Sequence, residues 1–186
     1  MDHNKLAAEI HQDNVNAGWW TRMYPEHPTD FRVNPRNIGE LLCLVHSEIS
    51  EGFEGLKLQL RDDHLIHRSM FEVELADAAI RIYDILGYYA EPVDIRRLSS
   101  VFASASEYQL LLEIHLRLSH AMEGFRKNKT AEGLLNLSTA LAFIWHLAGN
   151  VRGYDLAKII DEKREYNRNR ADHKLENRAK EGGKAF

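Results

Sequence analysis

One part of this chain is a degenerate copy of another. Residues 41–57, LLCLVHSEISEGFEGLK, align without a gap on residues 110–126, LLLEIHLRLSHAMEGFR. Leu41/Leu110, Leu42/Leu111, His46/His115, Ser50/Ser119, Glu54/Glu123 and Gly55/Gly124 are identical pairs. Val45/Ile114, Ile49/Leu118, Phe53/Met122 and Lys57/Arg126 are conservative ones. After a bridge that is seven residues shorter in the second copy, residues 74–87, ELADAAIRIYDILG, lie over residues 136–149, NLSTALAFIWHLAG. Any two amphipathic helices share a pattern, but here both halves keep the same order of matches and close on Gly87/Gly149. The expectation is a duplicated helical hairpin, copies at 35–90 and 104–150, whose two hairpins pack as a four-helix bundle.

The rest of the chain fits an all-α fold. Eleven glycines and four prolines in 186 residues are sparse punctuation, and three of the prolines fall between Pro25 and Pro35. Helical spacing of apolar residues predicts helices over about residues 3–17, 35–60, 69–90, 105–127 and 131–150, with a last one from about Asp155 that turns polar after Tyr166. Between the first two lies GWWTRMYPEHPTDFRVN, after which Asn34-Pro35 has the form of an N-cap followed by proline at the first helical position. The expected architecture is a single domain over 1–186, with N- and C-terminal helices flanking the hairpins and a flexible tail at 174–186.

Composition narrows the function classes. A net charge of −4 gives no reason to expect a nucleic-acid backbone as partner. The single cysteine, Cys43, excludes an intrachain disulfide or a cysteine-rich zinc site. No apolar run approaches the roughly 20 residues of a bilayer span, and the start MDHNKLAAEIHQDN lacks the basic and apolar regions of a signal peptide. No membrane partner and a cytoplasmic location are therefore expected.

The candidate chemistry lies in acids on consecutive helices. At about 100° per residue, Leu41, Leu44, Val45 and Gly52 fall within ~60° of Glu48, so that carboxylate has apolar surroundings. Glu51 lies one turn on, rotated the other way; Glu54 falls on a solvated arc. The helix around Glu74 is apolar almost all round and keeps one narrow polar stripe, Glu74, Asp77, Arg81 and Asp84. Such a helix is expected to be buried, which obliges its acids to be compensated. Consecutive antiparallel helices bring Glu48 and Glu51 level with Glu74 and Asp77. Four carboxylates in mutual reach repel, and either protonation or a divalent cation resolves this. Oxygen-only ligands suit Mg²⁺, with Mn²⁺ as a substitute. Alternatively, Arg81 pairs with Asp77 and Asp84, and the glutamates line a wet groove.

The repeat provides an internal control. In the second copy Glu48, Glu51, Glu74 and Asp77 become Arg117, His120, Asn136 and Thr139. The apolar frame survives without the acids, so the fold does not require them and their presence in the first copy needs a local reason. Arg117 and His120 would cover the groove from the second hairpin.

S-E-I-S-E (47–51) followed by E-L-A-D (74–77) resembles the paired helical motifs of the MazG-like all-α nucleoside triphosphate pyrophosphohydrolases, a superfamily that includes the dimeric dUTPases and the dCTP pyrophosphatases. Members carry E-E-x-x-E on one helix and E-x-x-D on the next; Ser47 stands here where they have the first glutamate. The resemblance implies Glu48, Glu51, Glu74 and Asp77 as Mg²⁺ ligands, with Glu48 or Glu51 as the base that activates water. The reaction would release pyrophosphate from a (d)NTP and leave a (d)NMP. It further implies a phosphate-binding role for Lys163 and Asn167 on the last helix, with Arg170 on the same face at i, i+4 and i+7. A homo-oligomer, dimer or tetramer, is also expected. Trp19 and Trp20 offer base-stacking surfaces and Asn14 or Asn16 a base-edge contact, although core packing of at least one tryptophan is the more conservative reading. HSEISEGFEG and YNRNRADH are similar to phage-encoded MazZ-type members, which implies purine deoxynucleotides (dGTP or dATP) as substrates and a host-cell cytoplasmic setting.

Three rival readings are weaker. A di-iron carboxylate bundle needs Glu-x-x-His pairs, and no histidine here has a glutamate three residues before it. An HD-type phosphohydrolase needs a His-Asp dipeptide, which the chain lacks. A non-catalytic helical module would offer an acidic groove to a basic partner. Within the enzyme reading, a pyrimidine nucleotide (dUTP or dCTP) is the alternative substrate.

Overall fold

Helix α3 (Met70–Tyr89) organises the molecule. In the computed structural model, which describes residues 1–24, 27–33, 36–93, 95, 102 and 104–170, Phe71, Val73, Leu75, Ala78, Ala79, Ile82, Ile85 and Leu86 of α3 are all buried. The other α-helices among the described residues are α1 (His3–Asn16), α2 (Ile38–Leu58), α4 (Glu107–Arg126), α5 (Thr130–Trp145) and α6 (Leu156–Asn169). The protein is all-α apart from one antiparallel hairpin, β1 (Thr21–Tyr24) and β2 (His27–Val33), which occupies the proline-rich stretch where helical periodicity fails.

Local sequence sets the helix ends. Asp2 caps α1 and Asp155 caps α6, each accepting hydrogen bonds from orphan backbone amides of the first turn. Ser69/Glu72 and Ser106/Gln109 form reciprocal capping boxes on α3 and α4. Helix α2 begins later than the Asn34-Pro35 pair suggested, at the first residue of its apolar stripe. Its N-cap is Asn37, whose side chain accepts from the amides of Gly39 and Glu40, and its first helical residue is Ile38. Asn34 and Pro35, expected in that role, lie outside the described residues, as does the tail 174–186. Past α5, the chain widens into a π-helical turn, His146–Val151, before α6.

Helix α2 packs on α3 and α4 on α5; α2 also meets α4, and α3 meets α5. Helices α1 and α6 both lie against α3, so this helix has packed neighbours on every side. Gly87 permits the closest approach, because a β-carbon there would stand 2.4 Å from the carbonyl oxygen of Ala7 on α1. Residues Thr130–Val151 form one continuous helical stretch that, contrary to the expectation from its interrupted apolar runs, is by length and composition apolar enough to cross a membrane. Leu137, Leu141, Phe143 and Ile144 of this stretch are buried in the core, whereas Leu135 and Val151 are exposed.

Candidate functional site

A cavity of about 290 Å³ opens between α2, α3 and α6, beside the end of α1. Its lining includes Glu48, Glu51, Glu74, Asp77, Lys163, Asn167, Arg170, Asn14 and Trp19, nine of the ten site residues expected from the sequence. The polar stripe of α3 runs along its floor, Glu74, Asp77, Arg81 and Asp84 at successive turns.

Glu48, Glu74 and Asp77 form the centre, each offering a carboxylate oxygen within 4.8 Å of the others. Glu48 and Glu74 are buried. Gly52 makes the approach of α2 possible, since a β-carbon there would lie 3.2 Å from that of Glu74. Burial, a hydrogen bond with Glu48 and the charges of Asp77 and Glu48 push the Glu74 carboxyl up to about 10. Burial also raises Asp77, although Lys163 beside it works in the opposite direction. Lys163, only 4% exposed, places Nζ 2.7 Å from Asp77 Oδ2. Burial works against its charge, but the pairing with Asp77 outweighs this and its pKa is raised.

The ion pairs differ from the alternative in which Arg81 held Asp77 and Asp84. Arg81 instead donates Nε to Glu48 Oε1 at 2.5 Å, across the interface between α3 and α2. Asp84 accepts from the Trp20 indole at 3.0 and 3.2 Å and lies 2.8 Å from His11 Nδ1. Trp20 is therefore not a base-stacking surface. It is 3% exposed, stacks on Tyr88 with centroids 4.4 Å apart, and does not line the cavity. An indole so deeply buried needs a hydrogen-bond acceptor, and Asp84 is the one it finds.

Glu51 stands apart from the triad. It is exposed at the cavity wall and its Oε1 accepts from Ser47 Oγ at 2.7 Å. Its carboxylate is therefore not among the three that gather at the buried centre. Arg117 and His120 do not line the cavity; Arg117 pairs with Glu113 on its own helix.

Two polar lining residues, His64 and Arg36, come from positions that carry no periodic signal. His64 comes from the α2–α3 loop, where Asp62 accepts from the backbone amides of His64 and Leu65. Burial and the nearby charges of Arg170 and Lys163 lower its pKa. Arg36, just before the α2 cap, holds its guanidinium 5.9 Å from the Trp19 ring centre. Arg81 was visible in the stripe, but its place in the cavity was not. A chain position in a loop or cap carries no periodic signal, so only spatial proximity identifies the first two.

Lys163, Arg170 and His64 gather around Tyr166 as a cationic group that adjoins the triad through Asp77, and Arg36 lies over Trp19 with Asp84 among its charged neighbours. Three buried polar atoms of the cavity lining make no hydrogen bond: Glu74 Oε2, Asn167 Oδ1 and Arg36 Nη2. Unpaired buried groups are costly and mark places where a ligand completes the structure. An oxygen-only triad with one such orphan suits a hard divalent cation. Comparison with known protein families, curated proteins and solved structures returns no match.

Proposed function

We propose that this chain is a Mg²⁺-dependent nucleoside triphosphate pyrophosphohydrolase of the MazG-like type, converting a (d)NTP and water to a (d)NMP and pyrophosphate. The observation that carries the reading is Glu74 Oε2, a carboxylate oxygen on a side chain more than nine-tenths buried, unpartnered and directed into the cavity beside Glu48 and Asp77. Mg²⁺ or Mn²⁺ held there would neutralise phosphate charge and acidify water.

The chain's own residues supply the remaining chemistry. Glu51, exposed to the cavity and oriented by Ser47, is placed to accept a proton from water. Lys163, Arg170 and His64 line the end at which the departing pyrophosphate carries its charge. Asn167 adds an amide there whose nitrogen would donate to a phosphate oxygen. Trp19 and Asn14, which also line the cavity, suit a flat, hydrogen-bonding base. Purine deoxynucleotides remain the expected class from the likeness to phage members.

A non-catalytic groove for a basic partner is less well supported, because Arg36, Arg81, Lys163 and Arg170 all line the cavity and would repel one. A panel of eight NTPs and dNTPs with Mg²⁺, scored for pyrophosphate and monophosphate, tests the proposal. Metal-dependent release from at least one is expected; release from none overturns it.

A further inference from the structure

Two carboxylates of the triad already carry cations of the chain's own. Lys163 Nζ lies on Asp77, and Arg81 brings both Nε and Nη2 to one oxygen, Glu48 Oε1. Glu48 is also hydrogen-bonded with Glu74, so it is engaged on two sides. The reaction proposed above makes no use of Arg81, yet the internal repeat ties this residue to the acids. Its counterpart in the second copy is Phe143, a core residue 1% exposed, on the helix where Asn136 and Thr139 replace Glu74 and Asp77. The guanidinium therefore goes with the carboxylates and not with the fold.

The two internal cations differ in freedom. The Lys163 side chain is 5% exposed, that of Arg81 33%. A divalent cation on Glu48 would share one carboxylate with the guanidinium, a few ångströms away in a site partly shielded from water, where like charges repel strongly. Arg81 has the long stem and the open cavity needed to relieve this, whereas Lys163 is enclosed. Once off Glu48, the guanidinium finds no vacant acid beside it. Asp84, one turn further along α3, already accepts from Trp20 and lies against His11, and the charge of Arg36 is near enough to oppose that of Arg81. An anion brought in from outside compensates it best, and the planar nitrogens of arginine match the oxygens of a phosphate.

Resting on the pyrophosphohydrolase reading, we infer that Arg81 exchanges partners: it gives up Glu48 to the divalent cation and turns its guanidinium to a phosphate oxygen of the nucleotide. Arg81 thereby couples the two ligands. Binding the cation frees a donor for the anion, and by reciprocity the anion tightens the cation.

Calorimetry on the full chain, with Mg²⁺ alone and with inorganic triphosphate at saturating Mg²⁺, reads both halves of the exchange without turnover and without a base. Arg81→Met removes the competitor for Glu48 and the anion donor together. It should bind Mg²⁺ about 5-fold or more tighter than the wild type, and triphosphate about 5-fold or more weaker. The opposed signs separate this role from a structural one, which would weaken both. An Mg²⁺ affinity that is unchanged or reduced overturns the inference, as does an unchanged triphosphate affinity. Should Arg81→Met fold poorly, hydrogen exchange in the wild type gives the same answer. The Nε–H signal of Arg81, assigned by its loss in Arg81→Lys, should exchange faster when Mg²⁺ is added and slower again with triphosphate; a rate that Mg²⁺ leaves unaltered overturns the inference. If the wild type binds Mg²⁺ and Arg81→Met binds it no more tightly, only the exchange falls. If the wild type binds no Mg²⁺ and cleaves no nucleotide, the pyrophosphohydrolase reading falls with it.

Discussion

The imidazoles of His46 on α2 and His115 on α4 lie face to face, ring centres 4.9 Å apart, planes 5° apart and Nδ1 atoms separated by 2.6 Å. These are matched positions of the internal repeat. Phe53 meets Tyr108 on one side of them, and on the other Met122 lies against Gly39, so the two helices run antiparallel through the histidine pair. A second matched pair behaves alike: Trp145 Nε1 donates to Tyr83 Oη at 3.0 Å. At both places, residues at matched positions of the two sequence copies meet one another.

The histidine pair makes stability sensitive to mild acid. Burial lowers the pKa of both, and for His115 the charge of His46 adds to it. The unfolded chain therefore takes up protons first as pH falls through about 6.5. Urea midpoints should be flat above neutrality and decline between pH 6.5 and 5. His115→Asn should flatten that decline; an unaltered profile would show that the pair is not its source.

Glu74→Gln should abolish pyrophosphate release and leave helicity intact. The Glu74 carboxyl, pushed up to about 10, is protonated at neutral pH in the metal-free protein and bonded to Glu48. Glutamine imitates that neutral form, so thermal stability without divalent cation should change by less than about 1 kcal/mol. A variant that turns over at near wild-type rates refutes the metal assignment.

Lys163→Met should destabilise the protein, because it leaves Asp77 without its cation in a buried setting. Removing one partner of such a pair costs roughly 3 kcal/mol. Mg²⁺ should restore part of the loss, and bind the variant more tightly than the wild type, since it no longer competes with an internal ammonium. Melting curves with and without Mg²⁺ check both expectations. No gain from the ion would separate Lys163 from any metal site.

The adjacent tryptophans should behave in opposite ways. Trp20→Phe removes the indole donor from Asp84 and should cost about 1–3 kcal/mol in stability, with little change in KM for the best nucleotide. Trp19→Phe, which keeps a ring packed against the core, should cost little stability and raise KM. Measuring the melting temperature and KM of each variant distinguishes the two positions.

Helix existence and much of the cavity lining were legible from residue spacing, because burial of one helical face leaves a period that any reader can find. The narrow acidic stripe on an otherwise apolar helix announced a buried compensated site, and Lys163, Asn167 and Arg170 shared a face by arithmetic alone. What spacing could not supply was the choice of partners. Arg81 took Glu48 rather than Asp77 or Asp84, Asp84 took Trp20, and Glu51 took Ser47, each decided by helix rotations and offsets smaller than one turn. Arg36 and His64 entered the cavity from a cap and a loop, where no period exists to reveal them. A sequence written on helices determines which face is buried, but only the packing of those faces against each other decides which charges come within hydrogen-bond reach, since Coulomb and hydrogen-bond energies vary over ångströms while the hydrophobic pattern that aligns the helices is tolerant of them.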